Sequence, residues 1–448
     1  MIMTETSGCA PDLARSTLFR FRGSVGALDD ASRRALFDRS LSSVSVVRER
    51  TERIVARVRQ GGDAALRALA IELDGVTLES LEVPRVRWRE ALHLVSADVL
   101  RSLERSARNV AAVHGAFLPQ PHELETEPGV LVGRRPDPLD RVGVYAPGGR
   151  ATYPSSVIMG VVPARVAGVR EVIVCSPPGR NGLPAPAVLA AAELAGADRV
   201  FAIGGAGAIA AMAYGTESLT RVDRIVGPGN AYVAEAKRQC SSVVGIDTPA
   251  GPSELLVIAD SSSNPAIVAQ ELLAQAEHDP MAAVAAVVVG EETALEVEAA
   301  VLRLLPTQAR REIIAAALRA NSALLLAADL SEAVEFASAY APEHLLLAVA
   351  DADASALLAR VRNAGTVFLG ETSSVSFGDY MTGANHVLPT GGMARSCSGL
   401  STLDFVRWTS YQRVTREAAA GLAEDVAILA GAEMLPGHAD AARQWGGA

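Results

Sequence analysis

The amino-acid sequence predicts an α/β protein of two lobes, each a parallel sheet covered by helices, with a helical N-terminal region before them and a helical C-terminal tail after them. Three observations carry this expectation. From Arg141 onward, short apolar runs alternate with Ala-rich helical stretches, the βαβ rhythm of a parallel sheet. That rhythm breaks at the Pro/Gly-rich stretch from Gly245 to Gly251 and then repeats. At 448 residues and 49% apolar content the chain can also bury more than one core, because single cores stop growing near roughly 250–300 residues.

In chain order, residues from about Ser32 to Val113 read as helices, with Ile54, Val55, Val58, Leu66 and Leu69 at spacings of three to four. Gly61, Gly62 and Gly75 punctuate them. First-lobe strands are expected at 142–145, 171–175, 199–203 and 224–226. Second-lobe strands are expected at 254–258, 283–289, 323–326, 345–349 and 366–369, with helices near 265–277, 292–304 and 331–339. After Gly370 the sheet pattern stops, and a Gly/Ser/Thr-rich stretch to Thr402 gives way to helices over about 416–435. The expected division is a helical region at 1–130, a first α/β lobe at 131–248, a second at 249–385 and a tail at 386–448.

Composition removes several function classes. A net charge of −10 opposes a polyphosphate backbone, and only 4% of residues are aromatic, too few for base-stacking platforms. The Arg-rich stretch from Arg48 to Arg59 is laced with Glu49 and Glu52 at helical spacing, as on a solvated helix face. No partnership with nucleic acid is expected. No apolar run reaches the roughly 18–20 residues of a membrane span. The first residues carry Glu5 and Asp12 instead of a basic and then apolar leader, so a cytoplasmic protein is expected. Cys9, Cys175, Cys240 and Cys397 stand far apart without CxxC spacing, which speaks against a disulfide framework or a Cys-rich zinc knot.

The chemistry concentrates in the later histidines. His93, His114 and His122 lack an acidic or glycine-rich frame and read as structural or surface residues. By contrast, Glu277-His278-Asp279, Glu343-His344, Asn385-His386, and His438 with Asp440 each set an imidazole beside a proton partner or ligand. Gln275 and His278 lie three apart at a helix end that Pro280 terminates, so both project from one face of its last turn. Their spacing alone is a weak metal signal, and a polar helix end is the commoner fate of such a pair. Glu343 and His344 open a strand as an adjacent acid and base, an arrangement that suits proton abstraction and water activation near pH 7 and equally an ordinary turn. Gly205-Ala-Gly207-Ala-Ile-Ala210 matches the G-x-G-x-x-A dinucleotide fingerprint, but in a chain this rich in Ala and Gly a tight turn with close helix packing explains it better.

Several long stretches, taken together and in order, resemble the histidinol dehydrogenase family. They are Arg141-Val-Gly-Val-Tyr145-Ala-Pro147-Gly-Gly149, Pro154-Ser-Ser-Val157, Val226-Gly-Pro-Gly-Asn230 and Pro249-Ala-Gly-Pro-Ser253-Glu. Further along come Gln275-Ala-Glu-His278, Ala341-Pro-Glu-His344, Asn363-Ala-Gly-Thr366, and Gly378-Asp-Tyr380 through Asn385-His-Val-Leu-Pro-Thr-Gly-Gly392. The likeness runs from about residue 50 onward. It implies that Gln275, His278, Asp379 and His438 hold zinc and that Glu343 and His344 are the catalytic acid/base pair, with His386 as a third imidazole at the reacting centre. It further implies that Tyr145 and Asn230 contact NAD. Ser253 and Glu433 would touch the substrate, together with His344 and the four zinc ligands. The fold it implies is α/β, with two Rossmann-like lobes in an intertwined homodimer whose C-terminal segment completes the neighbour's site.

The reaction implied is oxidation of L-histidinol through its aldehyde to L-histidine with two NAD. Two other readings stand beside it: a paralogue that oxidises another polar or amino alcohol, and a non-catalytic metal- or ligand-binding protein, which would have no need of the acid/base pair. One departure bears on the choice. Gly207 stands where the family usually has a Gln that touches the cofactor, a loss of one hydrogen bond worth about 0.5–1.5 kcal/mol. The first 30 or so residues, Cys9 among them, match nothing in the family and are expected to be disordered or an extra helical cap.

Overall fold

The computed structural model describes residues 18–39, 45–148, 152–248 and 251–446. Glu5, Cys9, Asp12, Gly149, Pro249 and Ala250 lie outside the described residues, as does most of the expected N-terminal cap. Strand β1 (Phe21–Ser24) comes first, followed by helices Asp30–Phe37, Ser45–Leu69, Arg85–Leu94 and Ala97–Ala116. Strands β2 (His122–Glu127) and β3 (Val130–Pro138) form a hairpin. The first parallel sheet then takes β4 (Arg141–Tyr145), β5 (Glu171–Ser176), β6 (Arg199–Ala202), β7 (Arg224–Val226) and β8 (Gly245–Ile246). The second takes β9 (Glu254–Ala259), β10 (Ala283–Val289), β11 (Ser322–Ala327), β12 (His344–Ala348) and β13 (Thr366–Leu369). Strand β14 (Val406–Val414) and helices Arg416–Ala432 and Pro436–Arg443 come last among the described residues.

The first sheet is ordered β6-β5-β4-β7-β8 and the second β1-β11-β10-β9-β12-β13, with every pairing in both parallel. Burial on both faces explains why these strands read as unbroken apolar runs. In β9, Leu255, Val257 and Ala259 enter one core while Leu256 and Ile258 enter the core on the opposite face. The helix after β9, Pro265–Ala276, starts where Asn264 accepts from the amide of Ala266 and a proline fills its first position. Running back along the sheet, it returns Gln275 to the edge where β9 began.

The mixed α/β architecture with parallel sheets stands as expected, and five strands, β1, β2, β3, β8 and β14, are additions to it. The segment read as helical up to residue 130 contains β1 and β2. Residues Phe21–Ser24 pair in parallel with Ala323–Leu326 at the edge of the second sheet, so the N-terminal segment belongs in part to a lobe some three hundred residues further on. The stretch after Gly370 likewise regains strand character in β14, which pairs antiparallel with β3 along its whole nine-residue length. Neither β2 nor β14 shows regular apolar alternation, since β2 is exposed at every position and the apolar residues of β14, Val406, Trp408, Tyr411 and Val414, are irregularly spaced. Gly207 lies inside helix Gly205–Tyr214, and a Cβ there would meet Leu66 and Leu69 at 3.5 and 3.6 Å, which accords with close helix packing. Among the described residues no helix is long and apolar enough to cross a membrane.

After β7 the chain turns sharply at Gly227, whose φ of +113° favours glycine, and a Cβ there would run into the carbonyl oxygen of Tyr145. Gly227→Ala is therefore expected to destabilise the protein by about 2 kcal/mol or more, read as a lower urea midpoint with an unchanged m-value.

Candidate functional site

Three separate chain segments meet at the starting edge of the second sheet. Strands β9 and β12 are neighbours in parallel register, with His344 paired to Leu255, so Glu254 stands beside the Glu343-His344 step. The backbone amide of Glu254 donates to Glu343 Oε2 at 2.7 Å, and its carbonyl lies 2.9 Å from His344 Nδ1. Because a carbonyl can only accept, Nδ1 carries the proton and Nε2 is left as the basic nitrogen. Both side chains are buried, Glu343 at 5% exposure and His344 at 3%. Burial pushes Glu343 up to about 8 against the pull of His344. For His344 burial works in the opposite direction, but the carboxylates of Glu343 and Asp379 outweigh it and raise the imidazole.

His344 Nε2 has no hydrogen-bond partner among the described residues, Asp379 Oδ1 standing 3.5 Å away. Asp379 comes from the short helix Val375–Tyr380. Burial tends to raise its carboxyl, yet the imidazoles of His344, His386 and His278 hold it below the usual range. His386 Nδ1 lies 2.8 Å from the Asp379 carbonyl, and its Nε2 lies 3.4 Å from Ser156 Oγ. His386 thus tethers the Asp379 backbone to the first lobe. Its neighbour Asn385 repeats the tie, donating to the Met159 carbonyl at 2.8 Å.

Gln275 and His278 end the helix that follows β9. Gln275 is buried at 3% exposure, and its Nε2 finds no partner among the described residues. His278 stands exposed, within electrostatic reach of Asp379, His344 and His386. A buried amide without a partner, an unsatisfied imidazole nitrogen and a carboxylate among three imidazoles form a nitrogen and oxygen donor set that suits zinc. Glu433 and His438 lie elsewhere. Glu433 caps helix Arg416–Ala432, and His438 lines a groove with Val414, Val426 and Trp445, away from the 344 cluster. Among the described residues no three His, Cys, Asp or Glu side chains gather as a metal site.

The first lobe faces this edge with the carboxyl ends of its strands. Tyr145 ends β4, and its hydroxyl accepts from the Gly205 amide at 3.0 Å. Asn230 stands exposed beyond β7 and caps helix Ala231–Cys240 by accepting from the amides of Tyr232 and Val233. Tyr153, just after the β4 loop, lies within electrostatic reach of Tyr380, next to Asp379. Ser253 immediately precedes β9, and its carbonyl accepts from Ala283 at 3.0 Å.

Sequence reasoning gave no role to Glu254 or Arg39. The Glu254 carboxylate takes Arg39 Nη1 at 2.6 Å and the Gly391 amide at 2.7 Å, while Arg39 also donates to the Tyr340 carbonyl and stacks on its ring. A carboxylate heading an otherwise apolar strand was the available signal for Glu254; nothing local marked Arg39. Arg39→Met leaves that buried carboxylate uncompensated and is expected to cost about 3–5 kcal/mol, measured by chemical denaturation, with Arg39→Lys recovering part of the loss.

A family model described as histidinol dehydrogenase matches residues 37–444. Histidinol dehydrogenase of Halobacterium salinarum is 49% identical, over 93% of this chain and 96% of that one. That of Methanosarcina mazei is 45% identical, over 90% and 92% respectively. A crystal structure of histidinol dehydrogenase from Elizabethkingia anophelis superposes with a TM-score of 0.90 at 32% identity, covering 95% of this chain and 98% of the other.

Proposed function

The chain belongs to the histidinol dehydrogenase family, and from that premise we infer that it is an NAD-dependent oxidoreductase converting L-histidinol through histidinal to L-histidine, the last step of histidine biosynthesis, in the cytoplasm. The observation that carries this reading is the buried Glu343-His344 couple, its tautomer set by the Glu254 carbonyl and its free nitrogen aimed at Asp379. A protein that merely bound a metal would have no use for it. The order β6-β5-β4-β7-β8 follows the first five strands of the doubly wound dinucleotide-binding sheet, with its switch point between β4 and β7, and supports a Rossmann-like first lobe with NAD held between Tyr145 and Asn230. Gly207 faces Leu66 and Leu69 and supplies no side chain to this contact.

Gln275, His278 and Asp379 are the residues of one chain that would hold zinc, with His438 supplied by a partner. When bound, NAD would supply the hydride acceptor for each oxidation, and zinc would orient the substrate's polar groups. The protein's own residues do the rest. His344 Nε2 takes the hydroxyl proton of the alcohol as its carbon is oxidised to the aldehyde. Glu343, made a stronger base by burial, then takes a proton from water as the water oxygen bonds to the aldehyde carbon. His344 Nε2 returns its proton to the aldehyde oxygen as that bond forms, and so is free to take a proton from the resulting hydrate as it is oxidised to the acid. Ser253 and the exposed Glu433 of a partner would bind the substrate's polar ends, and His386 keeps Asp379 in place.

We infer a homodimer from what the described residues of one chain leave open. Ile428, Leu429, Met434 and Leu435 are exposed on the C-terminal helices that carry Glu433 and His438, an apolar face of the kind that marks an interface. Supplying this tail to the neighbour, as in an intertwined dimer, unites His438 with Gln275, His278 and Asp379.

Purified protein given histidinol and NAD is expected to yield two NADH for each histidine formed, and to lose this activity on chelation and regain it with zinc. A ratio of one, or turnover of another polar alcohol in preference to histidinol, would support the paralogue. Mixing and re-forming dimers from inactive His344→Ala and His438→Ala proteins is expected to restore about a quarter of parental activity. Each mixed dimer then holds one intact site. No recovery would place His438 in its own chain's site.

A further inference from the structure

A buried ion pair outside the proton-transfer site grips the turn that leads to Asn230. Lys237 is 2% exposed on helix Ala231–Cys240, and Asp247, just after β8, is 8% exposed. Lys237 Nζ donates to Asp247 Oδ1 at 2.5 Å and to the Gly227 carbonyl at 2.5 Å, while Asp247 Oδ2 accepts from the Gly227 amide at 2.7 Å. Both polar groups of one glycine are therefore held by the two halves of a single salt bridge. That glycine passes too close to the Tyr145 backbone to bear a side chain. Three residues on, Asn230 begins the helix that carries Lys237, so lysine, turn and Asn230 form one closed loop.

Burying such a pair is expensive, and apolar residues of equal volume commonly serve stability as well or better. The pair's distinctive product is geometry: it fixes the Gly227–Asn230 turn against the end of β4. We propose that Lys237 and Asp247 are positioning residues for the dinucleotide, setting the distance between Tyr145 and Asn230. This rests on the reading of those two residues as NAD contacts. Asp247 also stands six residues before Ser253, so the same clamp anchors the near end of the segment that leads to the substrate side.

The test compares Lys237→Met/Asp247→Leu, which replaces the pair with apolar groups of similar size, with the parent protein, Lys237→Arg and Asn230→Ala. NADH binding is followed by its fluorescence, histidinol binding by calorimetry, and folding by thermal midpoint. The double variant is expected to keep a midpoint close to the parent's and to bind histidinol within about twofold, but to bind NADH about tenfold more weakly. Lys237→Arg, which preserves the charge, is expected to retain most of the NADH affinity. Unchanged NADH affinity in the folded double variant, with Asn230→Ala weakened, overturns the clamp and leaves the NAD site standing. A parallel fall in midpoint and in affinity for both ligands also overturns it, since the pair would then be purely structural. If Asn230→Ala and Tyr145→Ala both bind NADH as tightly as the parent, the placement of NAD fails, and the clamp's purpose fails with it.

Discussion

The site depends on the parallel register of β9 against β12. One residue, Glu254, meets the acid through its backbone amide and the base through its backbone carbonyl, so the relative placement of Glu343 and His344 is as rigid as the sheet itself. Its side chain, locked by Arg39 and the Gly391 amide, keeps the start of β9 from fraying. A strand end would otherwise be the least protected part of a sheet. Here it is the most heavily bonded.

This placement is unusual for an open α/β sheet, where ligands generally bind beyond the carboxyl ends of the strands. In the first lobe, Tyr145 ends β4 and the Gly227–Asn230 turn follows β7, both at the carboxyl ends of the strands. The second lobe offers the opposite edge, where β9 and β12 begin. The segment around Asn385 and His386 bridges the lobes by bonding to Met159 and Ser156 on the first-lobe helix.

Each lobe carries one buried ion pair next to its functional loop, Arg39–Glu254 in the second and Lys237–Asp247 in the first. In both, the acid accepts a backbone amide as well as the cation, which offsets part of the desolvation cost and turns the charge into a fixed point for the main chain. The C-terminal helices differ. Glu433 and His438 are exposed, and the apolar side chains of Ile428, Leu429, Met434 and Leu435 are exposed near them.

How much was legible in the sequence follows from the range of the forces involved. Parallel strands buried on both faces announce themselves as apolar runs, so the inner strands of both sheets could be placed from composition and rhythm, though not the edge strands β1 and β8. Motif likeness singled out Gln275, His278, Glu343, His344 and Asp379; of these, the structure sets His344 Nε2 3.5 Å from Asp379 Oδ1, with His278 within electrostatic reach of both. The edge pairing of β1 with β11 was not legible, nor was the polar ribbon of β2, β3 and β14, because backbone hydrogen bonds between distant segments leave no local periodicity. The partners of Glu254 and Lys237 were hidden for the same reason. A salt bridge between residues 39 and 254 is selected by the approach of two surfaces, and that approach exists only once the chain has folded.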